Sequence, residues 1–166
     1  MIMSISITSP VTELLENKGI VFEVIEIPLT EDKKPVRHLE ELLSKQGIDP
    51  QSIVRSLLFK TASDYYVLLA VAGGGRADWG VLRKHLNERK CRMAEFDEVS
   101  ESTGYVVGAV PPIALPKEIK VLVDFSMKSY ETVVIGSGVL GFALSLKGAD
   151  LLNLLEDADQ GQFVIL

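Results

Sequence analysis

The stretch Ile53-Val54-Arg55-Ser56-Leu57-Leu58-Phe59-Lys60, followed by Thr61-Ala62-Ser63-Asp64 and then Tyr65-Tyr66-Val67-Leu68-Leu69-Ala70-Val71-Ala72, decides the fold class. Two runs rich in β-branched and aromatic residues flank four residues of turn chemistry, which reads as a β-hairpin. Neighbouring strands joined so tightly are antiparallel. Gly73-Gly74-Gly75 ends the second run.

Further elements lie on either side of the hairpin. Ser9-Pro10 before Val11, Leu14 and Leu15 predicts an N-capped helix that closes at Gly19. Ile20 to Ile27 reads as a strand ending at Pro28, and a charged loop from Glu31 to Pro35 follows. Val36, Leu39, Leu42 and Leu43 recur at helical spacing up to Gly47, and Asp49-Pro50 makes a turn. Downstream, Asp78 caps a helix carrying Val81, Leu82 and Leu86, with a short strand from Cys91 to Ala94 after it. Asp97 opens a second short helix, Glu98 to Thr103, that stops at Gly104. Strands are expected at Ile119 to Val123, Thr132 to Ile135, Leu140 to Leu146 and Phe163 to Leu166, with a Leu-rich helix near Leu151 to Leu155. Strands outnumber helices without strict βαβ alternation, so the expected class is α+β with a mixed or antiparallel sheet. No internal repeat or linker divides the chain, and residues 1–166 read as a single domain.

Composition narrows the function. With 166 residues, 47% of them hydrophobic, one sizeable core is expected. The single cysteine, Cys91, excludes an internal disulfide framework and a cysteine-based zinc site, and packing is its expected role. No apolar stretch approaches the ~18 residues of a membrane span, so a soluble, cytoplasmic protein without membrane contact is expected. A net charge of −6 argues against a generic nucleic-acid coat protein. The charge is uneven: Arg76 to Arg92 carries +4 and the remainder −10. That segment reads either as a solvated helix face or as a contact to a phosphate backbone.

Several motifs fail as chemistry. Gly73-Gly74-Gly75-Arg76 lacks the Gly-Lys-Ser/Thr of a nucleotide loop and reads as a strand-to-helix connection. Gly136-Ser137-Gly138-Val139-Leu140-Gly141 has dinucleotide-type glycine spacing, but strand-like residues follow. A tight turn that brings backbone amides and the Ser137 hydroxyl near a pocket is the better reading. The two histidines, His38 and His85, have no partner at helical spacing, so no metal is assigned. No cofactor is called for.

Two features stay unexplained by packing. Thr103-Gly104-Tyr105-Val106-Val107-Gly108-Ala109-Val110-Pro111-Pro112 interrupts an apolar run with two glycines and a double proline, describing a rigid loop with accessible amides. Such a loop suits a carbonyl or an oxyanion. Arg55 stands as a guanidinium within an apolar strand, where a charge needs water at a sheet edge, a partner or a ligand.

Arg55 within Ile-Val-Arg-Ser-Leu-Leu-Phe-Lys, the Thr-Gly to Val-Pro-Pro run, Val-Leu-Val-Asp124 and the late Gly-Ser-Gly together resemble the YbaK family, prolyl-tRNA synthetase-associated domains that act as trans-editing aminoacyl-tRNA deacylases. The resemblance implies an α+β fold with a partly barrel-like sheet. It implies hydrolysis of the ester between a small mischarged amino acid and the 3′-terminal adenosine of a tRNA, with the loop from Gly108 to Pro112 offering amides to the scissile carbonyl. Arg55 and Gly108 are then the expected catalytic positions. Ser56, Gly104, Ala109, Pro112, Asp124, Ser137 and Gly138 are the expected substrate-binding positions. The acceptor end of an aminoacyl-tRNA is the implied partner, with an aminoacyl-tRNA synthetase as a second. Lysine is frequent in the family where this chain has Arg55, and a Phe-Gly ending is frequent where it has Ile113-Ala114. Two other readings remain: a non-catalytic tRNA- or synthetase-binding module of the same fold, and a small-molecule or nucleotide binder using the Gly136 to Gly141 turn.

Overall fold

The computed structural model describes residues 6–29 and 39–166, so the charged loop from Glu31 to Pro35, Val36 and His38 lie outside the described residues. Helix α1 spans Pro10–Asn17. Its N-terminus is closed reciprocally: the Thr12 N–H donates to Ser9 Oγ at 3.2 Å, and the Ser9 N–H donates to Thr12 Oγ1 at 2.9 Å. Strand β1 (Phe22–Glu26) follows, then α2 (Leu39–Lys45) and a 3₁₀ turn at Pro50–Ser52 capped by Asp49.

The hairpin forms as expected from β2 (Val54–Thr61) and β3 (Tyr66–Ala72), paired antiparallel from Val54 opposite Ala72 to Lys60 opposite Tyr66. Beyond it come β4 (Arg76–Ala77), α3 (Trp79–Leu86), β5 (Cys91–Met93) and α4 (Phe96–Thr103). The rest of the chain supplies β6 (Lys120–Asp124), β7 (Thr132–Gly136), β8 (Phe142–Lys147), α5 (Gly148–Leu154), β9 (Asp159–Gly161) and β10 (Val164–Ile165).

A five-stranded mixed sheet runs in the order β5-β2-β3-β6-β9, with β3, β6 and β9 mutually parallel and β2 antiparallel to both its neighbours. A three-stranded antiparallel sheet runs β1-β8-β7, and β4 pairs with β10. The two larger sheets touch through a parallel bridge from Ile53 to Val134, but the strand orders stay open-ended and no closed barrel results. The class is therefore α+β.

Strand β3 is the centre of the core. Val67, Leu68, Leu69, Ala70 and Val71 are all fully buried because both sheet faces are covered, which is why this strand reads as a continuous apolar run rather than an alternation. Leu68, Ala70 and Ala72 face one apolar cluster with Val11, Leu15 and Leu144, whereas Val67, Leu69 and Val71 face a second with Phe59, Leu82 and Phe163. Among the described residues no helix is long and apolar enough to cross a membrane.

Three details differ from the sequence reading. Helix α4 begins at Phe96 with Glu95 as its N-cap, rather than at Glu98 behind an Asp97 cap, because the Glu98 carboxylate turns back to accept the Glu95 N–H at 3.0 Å. Strands β4 and β9 went unforeseen: two residues carry no periodicity, and Asp159-Gln160-Gly161 is a strand only because it pairs with β6. The last strand is two residues long rather than four.

Candidate functional site

Strand β2 is paired with β3 along its length, but β5 covers only Phe59 to Thr61 on the other edge. The Ala94 N–H donates to the Leu58 carbonyl at 3.0 Å, and the next contact on that edge is the bridge from Ile53 to Val134. Between those points β2 and β7 part, and a cavity of about 530 Å³ opens. Since strand alternation repeats every two residues, the N–H and C=O of Ser56 point to the same edge as those of Leu58, toward this opening. Phe96 and Val99 of α4 wall one side, Val134 and Ile135 of β7 another, and Val107, Gly108 and Val110 lie across them. The lining is mostly apolar. Among the described residues it holds no carboxylate and no imidazole.

Arg55 and Ser56 supply its polar side chains. An Arg55 Nη2–H donates to the Gly75 carbonyl, so the glycine turn after β3 steers the guanidinium. Arg55 Nε and Ser56 Oγ are buried and have no hydrogen-bond partner among the described residues. A buried polar atom left so costs about 1–3 kcal/mol, and such atoms concentrate where a ligand supplies the missing bond.

The loop after α4 is built to hold its shape. Gly104, in a left-handed conformation, ends the helix, and its N–H donates to the Ser100 carbonyl. The Tyr105 hydroxyl donates to the Ala114 carbonyl at 2.7 Å, closing the loop at its base, and burial raises the tyrosine's pKa. The Ala109 N–H donates to the Val106 carbonyl at 3.0 Å, and the Ala109 carbonyl accepts from the Gly138 N–H at 2.9 Å. Gly136 is where the loop and β7 meet most closely: a Cβ there would lie 2.4 Å from the Val110 oxygen. Ser137 is buried, with its Oγ accepting the Val139 N–H at 3.0 Å and 2.8 Å from the Phe142 carbonyl. Gly108 has φ +97°, and its N–H has no acceptor among the described residues.

The expected site residues thus divide. Arg55, Ser56 and Gly108 are brought together around the cavity. Ala109 and Pro112 are buried behind it, and Ser137 and Gly138 back the loop. Gly104 sits at the exposed end of α4. Asp124 is fully buried away from the cavity lining, with one oxygen accepting the Phe163 N–H at 2.8 Å and the other the Ser126 N–H at 2.9 Å. Sequence reasoning missed the walls from α4, β7 and β8. Among them is Phe96, 76% exposed at the cavity rim, which nothing in the sequence pattern set apart.

Electrostatics anchor the α4 wall. Glu98 receives both Arg92 guanidinium nitrogens, at 2.6 and 2.9 Å, the Glu95 N–H and the Tyr66 hydroxyl at 2.9 Å. The Arg92 bonds, then the Glu95 N–H, hold its carboxyl well below the usual range. The basic segment is dispersed: Arg92 pairs with Glu98 and, with Arg83, Arg89, Lys90 and Lys60, lines a separate hollow, whereas Arg76 lies on β4, before α3. His85 contacts Asp159 at 2.9 Å, which lowers the Asp159 pKa with help from Lys120. Cys91 packs against the second apolar cluster, and burial pushes its thiol up. No cluster of three metal-ligating side chains occurs among the described residues.

Comparison with known proteins places this geometry. The aminoacyl-tRNA editing domain family matches residues 33–154. The chain is 33% identical over 117 residues to the proline-tRNA ligase of Thermotoga neapolitana, covering 70% of this chain and 20% of that protein. It is 29% identical over 123 residues to the uncharacterized protein YwhH of Bacillus subtilis, covering 74% and 78%. The chain spans about a fifth of the length of the proline-tRNA ligases it matches. The crystal structure of a hypothetical protein aligns with TM-score 0.79 at 25% identity over 95% of this chain and 100% of that one. That of a proposed trans-editing enzyme for prolyl tRNA synthetase aligns with TM-score 0.76 at 24% identity over 97% and 100%, a shared fold.

Proposed function

The chain belongs to the aminoacyl-tRNA editing domain family, and on that premise we propose that it is a hydrolase that cleaves the ester of a small mischarged amino acid on tRNA. The observation that carries the reading is the placement of Arg55, Ser56 and Gly108 around one apolar cavity beside an open strand edge. The amino-acid side chain enters the apolar part. The ester carbonyl lies at the loop, where the Gly108 N–H meets the developing oxyanion. Ala109 cannot share that task, since its N–H is spent on Val106.

A guanidinium offers hydrogen-bond donors and no acceptor, so Arg55 holds the substrate and stabilises charge rather than removing a proton. The Ser56 hydroxyl has no imidazole or carboxylate beside it among the described lining residues, which favours a hydrogen-bonding role over a nucleophilic one. Water, or a hydroxyl of the substrate itself, attacks. Ser137, Gly138 and Pro112 serve by holding the loop, and Asp124 by holding the C-terminal segment. Selection among acyl groups is steric, and one methylene in an apolar pocket is worth only ~1–3 kcal/mol, the physical reason a separate editing step is useful. The partners are the acceptor end of aminoacyl-tRNA and a synthetase that makes the error.

The test is a panel of tRNAs charged with Ala, Cys, Ser, Thr and Pro, followed for ester loss. At least one is expected to be deacylated well above the spontaneous rate. Binding of charged tRNA without any accelerated loss would leave a non-catalytic tRNA-binding module instead.

A further inference from the structure

Next to the acyl cavity lies a second hollow of about 380 Å³, lined by Arg55, Leu57, Arg76, Trp79, Met93 and Ile165 together with Ala77. Arg55, Leu57 and Met93 line both spaces, so the two adjoin at the Arg55 side chain. Its chemistry differs from that of the cavity. It holds two guanidinium groups and an indole, and no carboxylate lines it among the described residues. The nearest acid in sequence, Asp78, has an oxygen turned into the first turn of α3, where it accepts the Val81 N–H at 3.2 Å. Trp79 stands edge-to-face on Phe59 with ring centroids 5.4 Å apart, which fixes the indole plane. Arg76 is exposed on β4, held in place by the pairing of β4 with β10, where Ile165 lies opposite it.

We propose that this hollow binds the terminal nucleoside 5′-phosphate unit of the nucleic acid that carries the ester. An aromatic face beside guanidinium groups is the arrangement that takes a base by stacking and its phosphate by charge. A volume within the roughly 300–1,000 Å³ of small-molecule sites accommodates one nucleotide and not a duplex. The substrate then straddles Arg55: acyl group in the apolar cavity, ribose at the guanidinium, base against Trp79 and phosphate against Arg76. This also accounts for an arginine near the start of β2, because a group shared by two subsites must offer donors in two directions, and the planar fork does so.

The proposal rests on the deacylase reading, yet its test does not need the ester. Trp79 is the only tryptophan of the chain, so its emission reports on the hollow directly. Adenosine 5′-monophosphate titrated into the full chain is expected to quench that emission saturably, with inorganic phosphate producing no comparable change. Arg76→Ala, an exposed site with no packing to lose, is expected to weaken the titration about tenfold. The same variant is expected to raise KM for charged tRNA about tenfold with kcat kept, the signature of lost uniform binding. Unchanged emission up to millimolar nucleotide, or an Arg76→Ala titration identical to that of the parent, overturns the hollow even if charged tRNA is cleaved. Saturable, Arg76-dependent quenching without cleavage of any charged tRNA upholds the hollow and removes the deacylase reading alone.

Discussion

The Gly138 N–H donates to the Ala109 carbonyl at 2.9 Å, tying the turn after β7 to the loop that crosses the cavity. With Gly136, the last residue of β7, packed against Val110, the loop has two points of fixation immediately beside Gly108. The conformation of Gly108 is therefore set by the sheet rather than by the loop alone.

Gly108→Val places a β-branched side chain at φ +97° with its Cβ 3.2 Å from Leu140 Cδ1. Strain of that kind costs about 1–3 kcal/mol, which a folded domain tolerates. Relief of that strain carries the residue 108 N–H out of line, so turnover is expected to fall toward the ~10²–10³ typical of losing one oxyanion donor, while the circular dichroism spectrum is kept. Unchanged turnover removes the loop amide from the mechanism.

Gly136→Ala forces a methyl against the Val110 oxygen from 2.4 Å, where backbone must move. Overpacking of this sort costs typically 1–3 kcal/mol. Denaturant melts are expected to show that loss together with a fall in kcat, since the loop is displaced. A variant as stable as the parent would mean that the loop and β7 are not in contact as described.

Leu69→Ala removes a fully buried side chain from β3 on the face shared with Phe59 and Phe163. A loss of about 2–5 kcal/mol is expected in urea unfolding, because the sheet on both sides limits collapse around the void. A loss below 1 kcal/mol would contradict a covered central strand.

Much of this architecture was legible beforehand, and the reasons are local. The hairpin, α1 with its Ser9 cap and α3 with its Asp78 cap all carry their own periodicity and end signals. Strand β9 carries none, since Asp159, Gln160 and Gly161 are extended only through pairing with β6. Arg55 stood out because a guanidinium inside an apolar strand conflicts with its surroundings. Val99, Val134 and Phe142 did not, because an apolar residue that walls a cavity has the same local pattern as one that fills a core. Asp124 stood out too, but the backbone N–H groups of Ser126 and Phe163 account for both its oxygens.

Glu98 links pH to stability. Its folded pKa lies below its unfolded value, so the stabilisation it gives is present above the ordinary carboxylate range near ~4.3 and is lost as pH falls below it toward the lowered folded value. Glu98→Gln is expected to lower stability at neutral pH and to flatten the acid side of the stability profile. Parallel acid limbs in parent and variant would show that the contacts to Arg92 and Tyr66 do not bias folding.

The most direct test of the central claim is kcat/KM for the charged tRNA that the parent cleaves best, compared among parent, Arg55→Ala and Arg55→Lys. The guanidinium bridges the apolar cavity and the neighbouring hollow, so Arg55→Ala is expected to lose about 10²-fold or more, an order typical of removing a charged group from a preorganised site. Arg55→Lys is expected to recover part of it, by keeping charge without the fork. An Arg55→Ala variant that remains folded and cleaves at the parental rate would contradict the account.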